Sequence, residues 1–261
     1  MLNFQRNVKL LTERQVIKMT LIFAHRGSKG THPENTMAAF REAVNIKSDG
    51  IELDVQFSLD EELVIIHDGD VNRTTNGKGL VKEKTLAELK VLDAGSWFDP
   101  IYKDEKIPTF NEVIELLVAE KYTGILNIEI KTDEYDYDGI EARILNVINS
   151  FELPFKVILS SFNTETMARV IALDSLYEKA IILDKSKRKI EFGLETSEIS
   201  GLHPSIKWIE ENVDLVKAQH KAFRPWTVNS EEQMKFCFDL GLAGIHTDFP
   251  KKAMALKESY S

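Results

Sequence analysis

The chain has little cysteine and no long apolar run. Cys237 is the only cysteine in 261 residues, so no intrachain disulfide can form. Its surroundings, EQMKFCFDLG, indicate a small apolar position on a helix, and we predict a structural thiol. With 43% hydrophobic and 29% charged residues, the composition excludes a membrane protein and a disordered chain. We therefore expect one large folded domain or two modest ones, with no stable membrane insertion.

Positive charge is also scarce, since the formal net charge of the chain is −9. A protein that binds nucleic acid through bulk electrostatics needs clustered Lys and Arg to displace counterions, so we predict no nucleic-acid partner. The same charge gives no long-range attraction for an anionic substrate. Such a substrate would have to be held by local positive charge or by a metal ion.

The amino-terminal region lacks the apolar core of a signal peptide. The run Leu21 to Ala24 is too short for one, and His25 and Arg26 follow it where a cleavage site would be needed. We therefore predict a cytoplasmic protein. Because the first predicted strand begins just after Met19, we expect residues 1–19 to be an N-terminal extension outside the fold.

Short apolar segments typical of buried parallel strands alternate with segments of helical periodicity. The strand-like segments are residues 20–24, 50–55, 63–66, 124–130, 156–160, 179–183, 198–203, 223–228 and 243–247. The helix-like segments are residues 34–46, 110–119, 140–148, 165–173, 206–213 and 231–240. An alternation of about eight such units in a chain of this size predicts an α/β fold, a closed (β/α)8 TIM barrel.

One segment, residues 69–106, interrupts this alternation. It contains the turn-forming Asn76-Gly77, a short helix around Leu86 to Lys90, and no strand-helix unit of barrel size. We predict a small subdomain inserted after the third strand segment, covering one end of a barrel that spans residues 20–257. A doubly wound open sheet is the alternative fold, but AHRGSKG is not the glycine-rich dinucleotide turn that this fold would lead one to expect.

Carboxylates share one face of two predicted strands. Side chains alternate along a strand, so Glu52 and Asp54 lie on one face of GIELDV, and Glu129 lies with Lys131 on one face of ILNIEIK. Any one buried carboxylate could be half of an ion pair with Arg26 or Lys131. Three of them on converging strands favour a hard cation with oxygen ligands, Mg²⁺ or Ca²⁺. Zinc is disfavoured because no His or Cys shows ligand spacing with them.

Two histidines stand directly after strand-like segments. His25 follows LIFA and enters a turn that contains two glycines, and His67 follows LVII. A lone histidine at a strand end is more often structural. Two at the same end of a barrel that carries three carboxylates can supply both an acid and a base near neutral pH.

The chain resembles the glycerophosphodiester phosphodiesterases. The shared motifs are HRG at residues 25–27, PENT at 33–36, ELD at 52–54, HD at 67–68, RTT.G.G at 73–79, EIK at 129–131, WTVN at 226–229 and TD.P at 247–250. Each motif is weak alone, but they occur in the family's order from about residue 21 to residue 250. The resemblance implies a TIM barrel with a small subdomain after the HD motif.

The resemblance also implies roles for individual residues. Glu52, Asp54 and Glu129 correspond to the ligands of a divalent cation, and His25 and His67 to the acid-base pair. Arg26 and Lys131 correspond to phosphate contacts, Glu34 helps to shape the site, and Trp226 lines the pocket. The implied reaction is hydrolysis of a small-molecule glycerophosphodiester to sn-glycerol 3-phosphate and an alcohol.

Two other functions remain open at this point. A phospholipase D-like or cyclising enzyme acting on lysolipids would be favoured by an apolar groove or a membrane-facing helix beside the site. A non-catalytic sugar-phosphate binding barrel would have no reason to keep both histidines and all three carboxylates. His246 stands where the family usually carries an aliphatic residue, and His203 lies near another strand end. We expect both to be core histidines, with a local role in specificity as the alternative.

Overall fold

Eight parallel strands form a nearly closed barrel in the structure, a computed structural model that describes residues 19–173 and 176–260. The predicted N-terminal extension therefore lies outside the described residues, apart from Met19. The barrel strands are β1 (Leu21–Ala24), β2 (Gly50–Phe57), β4 (Ile125–Ile130), β5 (Lys156–Ser161), β6 (Glu178–Leu183), β7 (Gly201–Pro204), β8 (Ala222–Phe223) and β9 (Gly244–Thr247). The predicted (β/α)8 architecture is confirmed.

Neighbouring strands follow the order β8-β7-β6-β5-β4-β2-β1-β9 around the barrel. The gap between β8 and β9 is bridged by the extended chain after β8. Val228 donates its backbone N–H to the carbonyl of His246 at 2.8 Å, and the N–H of His246 donates to the carbonyl of Pro225 at 2.9 Å. These bonds join the last two strands, so the strands enclose a single lumen.

Helices pack around the outside of the barrel, except for the short second helix, which lies in the segment 69–106. They are α1 (Met37–Asn45), α2 (Leu86–Lys90), α3 (Phe110–Ala119), α4 (Ile140–Asn149), α5 (Thr164–Ala172), α6 (Lys187–Glu195), α7 (Ile206–Glu211), α8 (Val213–Ala218), α9 (Glu231–Asp239) and α10 (Pro250–Tyr260). None of the helices in these described ranges is both long and apolar enough to cross a membrane.

Two predicted helix boundaries were wrong, each for a local reason. The first helix begins at Met37 rather than Glu34, because Thr36 caps it by accepting a hydrogen bond from the Ala39 N–H. The helix predicted over residues 206–213 is two helices, because Asn212 has a non-helical backbone, with φ −131° and ψ 30°. The sequence pattern also missed α6, whose apolar residues are sparse.

The outer faces of the strands form the main core. Ile51, Leu53 and Val55 alternate along β2 with the polar residues of the lumen and are fully buried in the main apolar cluster. Burying a side chain of this size stabilises the fold by about 1.5–3 kcal/mol. This packing fixes the strands and so holds the intervening polar side chains in the lumen.

The chain between β2 and α3 leaves the barrel. Its strand β3 (Leu63–Ile65) pairs antiparallel with the carboxyl end of β2, with Ile65 opposite Val55. The prediction that His67 ends a barrel strand was wrong, because His67 follows a strand of this antiparallel hairpin. Residues 69–106 supply none of the eight barrel strands and pack around a second apolar cluster, whose members are Val64, Ile66, Val71, Val81, Leu89, Ala94 and Ile107.

Candidate active site

A cavity of about 340 Å³ opens at the carboxyl ends of the barrel strands. It is lined by His25, Arg26, Glu52, His67, Asn127, Glu129, Phe162, Ile182, His203, Trp226 and His246. Two larger depressions, of about 420 and 470 Å³, border α4 and the amino ends of β4 to β6, and neither is lined by a histidine. The titratable groups therefore converge at the end of the barrel where TIM-barrel enzymes hold their reacting groups.

Three carboxylates meet at one side of this cavity. Glu52, Asp54 and Glu129 each offer an oxygen within 4.8 Å of the others, and all three side chains are buried. The register of the sheet causes this convergence, because Asp54 on β2 lies directly opposite Glu129 on β4. One oxygen of Asp54, Oδ1, is buried with no hydrogen-bond partner. The cluster has the charge, the oxygen ligands and the free lone pairs to hold a divalent cation.

The carboxylates in this cluster repel one another. Burial, reinforced by the charges of Asp54 and Glu129, raises the pKa of Glu52 well above its usual range. Burial also raises the pKa of Glu129, although the nearby Lys131 opposes this. For Asp54, the cost of burial is outweighed by the combined effect of Arg26, His67, Lys131 and the hydrogen bond from Asn35, so its pKa is lowered. A cation in this cluster would relieve the mutual repulsion.

Two cationic side chains flank the carboxylates. The guanidinium of Arg26 has its Nε 3.4 Å from Oδ2 of Asp54, while its backbone N–H donates to Oε2 of Glu52 at 2.8 Å. Lys131 donates from Nζ to Oε1 of Glu129 at 2.8 Å. Both cations are largely buried at the edge of the cavity, where they can attract an anionic group that long-range charge would repel.

The turn after β1 needs its first glycine. Gly27 has φ +76°, and a Cβ at this position would lie 2.7 Å from the backbone of Ala39 in α1. A larger residue would therefore be strained and would push the turn away from the helix. Arg26, the preceding residue, also has a positive φ, of 53°. The tight turn at these two residues therefore sets the position from which the guanidinium of Arg26 enters the site.

Glu34 lies behind this turn and organises the cations. Its carboxylate accepts from Arg26 at 2.7 Å and from both terminal nitrogens of Arg73 at 2.8 Å. Although burial opposes ionisation, Arg73 and Arg26 lower the pKa of Glu34 to about 2. Arg73 belongs to the inserted segment, so this carboxylate joins the insertion to the loop that carries the cavity residues.

Each of the two predicted catalytic histidines has a carboxylate at Nδ1. His25 Nδ1 lies 2.7 Å from Oδ1 of Asp248, and His67 Nδ1 lies 2.6 Å from Oδ1 of Asp68. A carboxylate at Nδ1 requires a proton there and leaves Nε2 for exchange with a substrate. Burial lowers the pKa of His25, although Asp248 opposes this.

No role was predicted from the sequence for Asp68 and Asp248. Both stand in motifs that it identified, HD and TD.P, each beside a strand end, and this was the signal that could have indicated them. Asn229 supports the second aspartate by donating to its Oδ2 at 2.9 Å, and Arg73 supports the first with a hydrogen bond of 2.7 Å from Nε. The aspartates therefore fix the orientation of both imidazoles.

An apolar wall faces the charged side of the cavity. Trp226 packs edge-on against Phe162 with ring centroids 5.7 Å apart, and its indole N–H donates to the carbonyl of His203 at 2.8 Å. Phe162 and Ile182 were not identified from the sequence, because their segments read as ordinary strand ends. The two histidines expected to be core residues, His203 and His246, are buried and also line the cavity.

The structure thus brings the nine predicted site residues into one place. Six of them line the cavity, and Glu34, Asp54 and Lys131 contact the lining side chains from behind. The chain is therefore a (β/α)8 barrel whose polar groups lie together at the carboxyl ends of the strands, the arrangement found in TIM-barrel enzymes.

The chain belongs to the glycerophosphoryl diester phosphodiesterase family, a class of phosphoric diester hydrolases, as the sequence predicted. The family's sequence model matches residues 25–252. The chain is 42% identical over 243 residues to a glycerophosphodiester phosphodiesterase of Bacillus altitudinis, covering 92% of this chain and 99% of that protein. It is 39% identical over 244 residues to one of Caldanaerobacter subterraneus, covering 91% of this chain and 97% of that protein.

A solved structure of an Oleispira antarctica phosphodiesterase in complex with the product sn-glycerol-3-phosphate has the same fold, with a TM-score of 0.80. The two chains are 30% identical, and the match covers 92% of this chain and 97% of that one. The residues 25–252 that the family model matches include the inserted segment and every residue that lines the cavity.

Proposed function

We propose that this protein is a divalent-cation-dependent glycerophosphodiester phosphodiesterase that releases sn-glycerol 3-phosphate and an alcohol. One observation carries the proposal: three buried carboxylates lie within 4.8 Å of one another, and two of them line the same cavity as two histidines, each hydrogen-bonded to an aspartate. The names of the relatives and the product held by the Oleispira enzyme support the choice of substrate.

Glu52, Asp54 and Glu129 would hold the cation, Mg²⁺ or Ca²⁺. Carboxylate oxygens are the ligands both ions prefer, and the free Oδ1 of Asp54 is available for coordination. When bound, such an ion stabilises negative charge on a phosphate and lowers the pKa of a neighbouring hydroxyl.

Other residues of this chain would bind the phosphate and transfer the protons. Arg26 and Lys131 hold the phosphate by charge-assisted hydrogen bonds, and Glu34 keeps the guanidinium of Arg26 in place. One of the imidazoles, His25 or His67, takes a proton from the attacking hydroxyl, and the other delivers a proton to the departing alcohol oxygen.

The described part of the chain offers no hydroxyl or thiol nucleophile in the cavity. None of the cavity-lining residues in the described chain is Ser, Thr or Cys, and Cys237 is fully buried on α9. Burial raises the pKa of its thiol to about 12, so it stays protonated. The attacking oxygen therefore comes from water or from the substrate, and the glycerol 2-hydroxyl lies close enough to the phosphorus to attack within the molecule.

Turnover should depend on a divalent cation. We expect the purified protein to hydrolyse glycerophosphocholine with Mg²⁺ or Ca²⁺ and to lose at least about 100-fold in kcat when a chelator removes the ion, with recovery on its return. Release of sn-glycerol 3-phosphate, followed by a coupled assay, is the measurement. Undiminished turnover in the chelator would contradict cation dependence, and no turnover with either ion would favour the non-catalytic barrel.

A lysolipid-directed activity is a second candidate, because the inserted segment exposes a group of apolar side chains. Trp97 and Phe98 are more than one-third exposed and Ile101 is 77% exposed. Aromatic side chains of this kind favour the interface between water and lipid. Lysophosphatidylcholine assayed beside glycerophosphocholine, which carries the same head group, separates the two activities.

Replacing a single carboxylate should weaken the cation site without unfolding the barrel. We expect Glu129→Gln to lower the affinity for Mg²⁺ by at least about tenfold, since it removes one negative charge from a hard-cation site and preserves the shape of the side chain. Excess Mg²⁺ should partly restore turnover. Calorimetric titration of the ion gives the affinity, and Glu115→Gln, an exposed change on α3, is the matched control. Parent-like cation binding and turnover in Glu129→Gln would contradict the assignment.

A further inference from the structure

The floor of the cavity is polar, and three of its buried atoms have no hydrogen-bond partner. Asn127 on β4 and His203 on β7 are each 1% exposed, and both line the cavity. Oδ1 of Asn127, Nε2 of His203 and Nδ1 of the adjacent His246 make no hydrogen bond. Buried polar atoms are nearly always satisfied in folded proteins, so these atoms indicate a missing partner.

A third side chain fixes the orientation of the amide. Nδ2 of Asn127 lies 3.4 Å from Nε2 of His246, so the amide oxygen is turned away from that ring. The ring of His203 is 4.9 Å from the ring of His246, centroid to centroid. The floor therefore presents a hydrogen-bond acceptor from the amide and an imidazole nitrogen that can donate.

Two of these atoms, Oδ1 of Asn127 and Nε2 of His203, fit a hydroxyl group better than an anion. A hydroxyl donates one hydrogen bond and accepts others, so one such group can satisfy both atoms. Burial, together with His246 and Arg224, holds the pKa of His203 well below its usual range, so the imidazole is neutral and gives a phosphate no charge to pair with. Arg26 and Lys131, the cations available to an anionic group, lie at the carboxyl ends of their strands. The buried Arg224 is already paired with Glu178, with 2.7 Å between Nη1 and Oε1.

The distance along β4 matches the length of a glycerol unit. Asn127 precedes Glu129 by two residues on the same face of the strand, a rise of about 6.6 Å. A glycerol phosphate held at the level of Glu129 would therefore place its far hydroxyl, on C1, at the floor. Below the floor, the fully buried cluster of Phe23, Ile158 and Ala180 closes the lumen.

We propose that Asn127 and His203 form a subsite for the C1 hydroxyl of the glycerol unit and select substrates in which that hydroxyl is free. This inference rests on the proposed function. An acyl group on C1, as in a lysolipid, would leave both polar atoms unpaired and would meet the closed floor. Selection of this kind is strong because the unpaired groups of the site oppose binding of the wrong ligand.

The test measures binding, so that it does not depend on turnover. Calorimetry with Mg²⁺ present compares sn-glycerol 3-phosphate with the analogue in which hydrogen replaces the C1 hydroxyl. We expect the parent to prefer the natural phosphate by about tenfold or more. His203→Leu should reduce that preference to less than about twofold, and His203→Gln, which keeps a polar group, should retain part of it. His220→Leu, an exposed change at the amino end of β8, is the control that should match the parent.

A second arm compares kcat/KM for glycerophosphocholine and lysophosphatidylcholine, and the parent should favour the former. Equal affinity of the parent for both phosphates would overturn the subsite and indicate that an ordered water satisfies the floor. The same preference in His203→Leu as in the parent, with an unchanged melting temperature, would also overturn it. A retained binding preference without turnover of any diester would instead overturn the proposed function alone. No binding of either phosphate would count against both.

Discussion

Replacing either His25 or His67 by alanine is expected to lower kcat by about a hundredfold or more. This is the usual contribution of positioned acid-base catalysis, and each imidazole is already oriented by an aspartate at Nδ1. The melting temperature should change little for His67→Ala, because the side chain of His67 is 30% exposed. Steady-state kinetics on glycerophosphocholine with saturating cation provide the measurement, and His220→Ala on the opposite end of the barrel is the matched control.

Comparing the activity and stability of the two variants distinguishes a catalytic role of each histidine from a structural one. If one variant unfolds while the other keeps full activity, the first histidine is structural and the acid-base pair is not supported. Asp248→Asn offers a finer check on His25, because an amide can hold the ring without stabilising its charged form. We expect this variant to fold and to show a lower kcat together with a shifted pH profile.

Removing the glycerol 2-hydroxyl from the substrate should slow turnover at least ~100-fold. Attack by this hydroxyl on the phosphorus would gain the large effective molarity of a tethered nucleophile, and a cation close to it would lower its pKa. The expectation follows from the absence of Ser, Thr or Cys among the residues that line the cavity of the described chain. The deoxy diester should still bind through its phosphate to Arg26 and Lys131.

Single-turnover rates and competitive inhibition measure the chemistry and the binding of the deoxy diester separately. Its C1-deoxy isomer is the matched control, since it keeps the attacking group and loses only the hydroxyl assigned to the floor. Comparable hydrolysis of the 2-deoxy and natural diesters would favour direct attack by water. In that case the carboxylates and histidines would keep their places and change their roles.

The acidic cluster could be predicted from the sequence because its cause is local. Alternation along β2 puts Glu52 and Asp54 on one face, and the same rule places Glu129 on one face of β4. The inference that both faces point into one lumen required knowledge of the fold. The repeated strand-helix pattern predicted that fold. The turn after β1 could also be predicted from the sequence, because the ability to adopt a positive φ without strain is a property of glycine itself.

The environment of the histidines could not be predicted in the same way. His67 follows an apolar run that reads as a barrel strand, yet β3 is antiparallel to β2, and side-chain periodicity does not encode the direction of a partner strand. His25 meets Asp248 across 223 positions of sequence. Such a pair forms only when the last strand returns beside the first and closes the barrel.

The sequence by itself determined the barrel, the family, and which residue types stand at the strand ends. Those features follow from periodicity and turn chemistry, which act over a few residues. Only the tertiary structure showed that His203 and Asn127 are buried and also form the floor of the cavity. The inner face of a barrel strand is buried in either case, whether it packs against other side chains or against a ligand. The burial of a residue can be predicted from its neighbours in the chain. Whether the lumen beside it holds side chains or a ligand depends on strands that are distant in sequence and become adjacent only when the barrel closes.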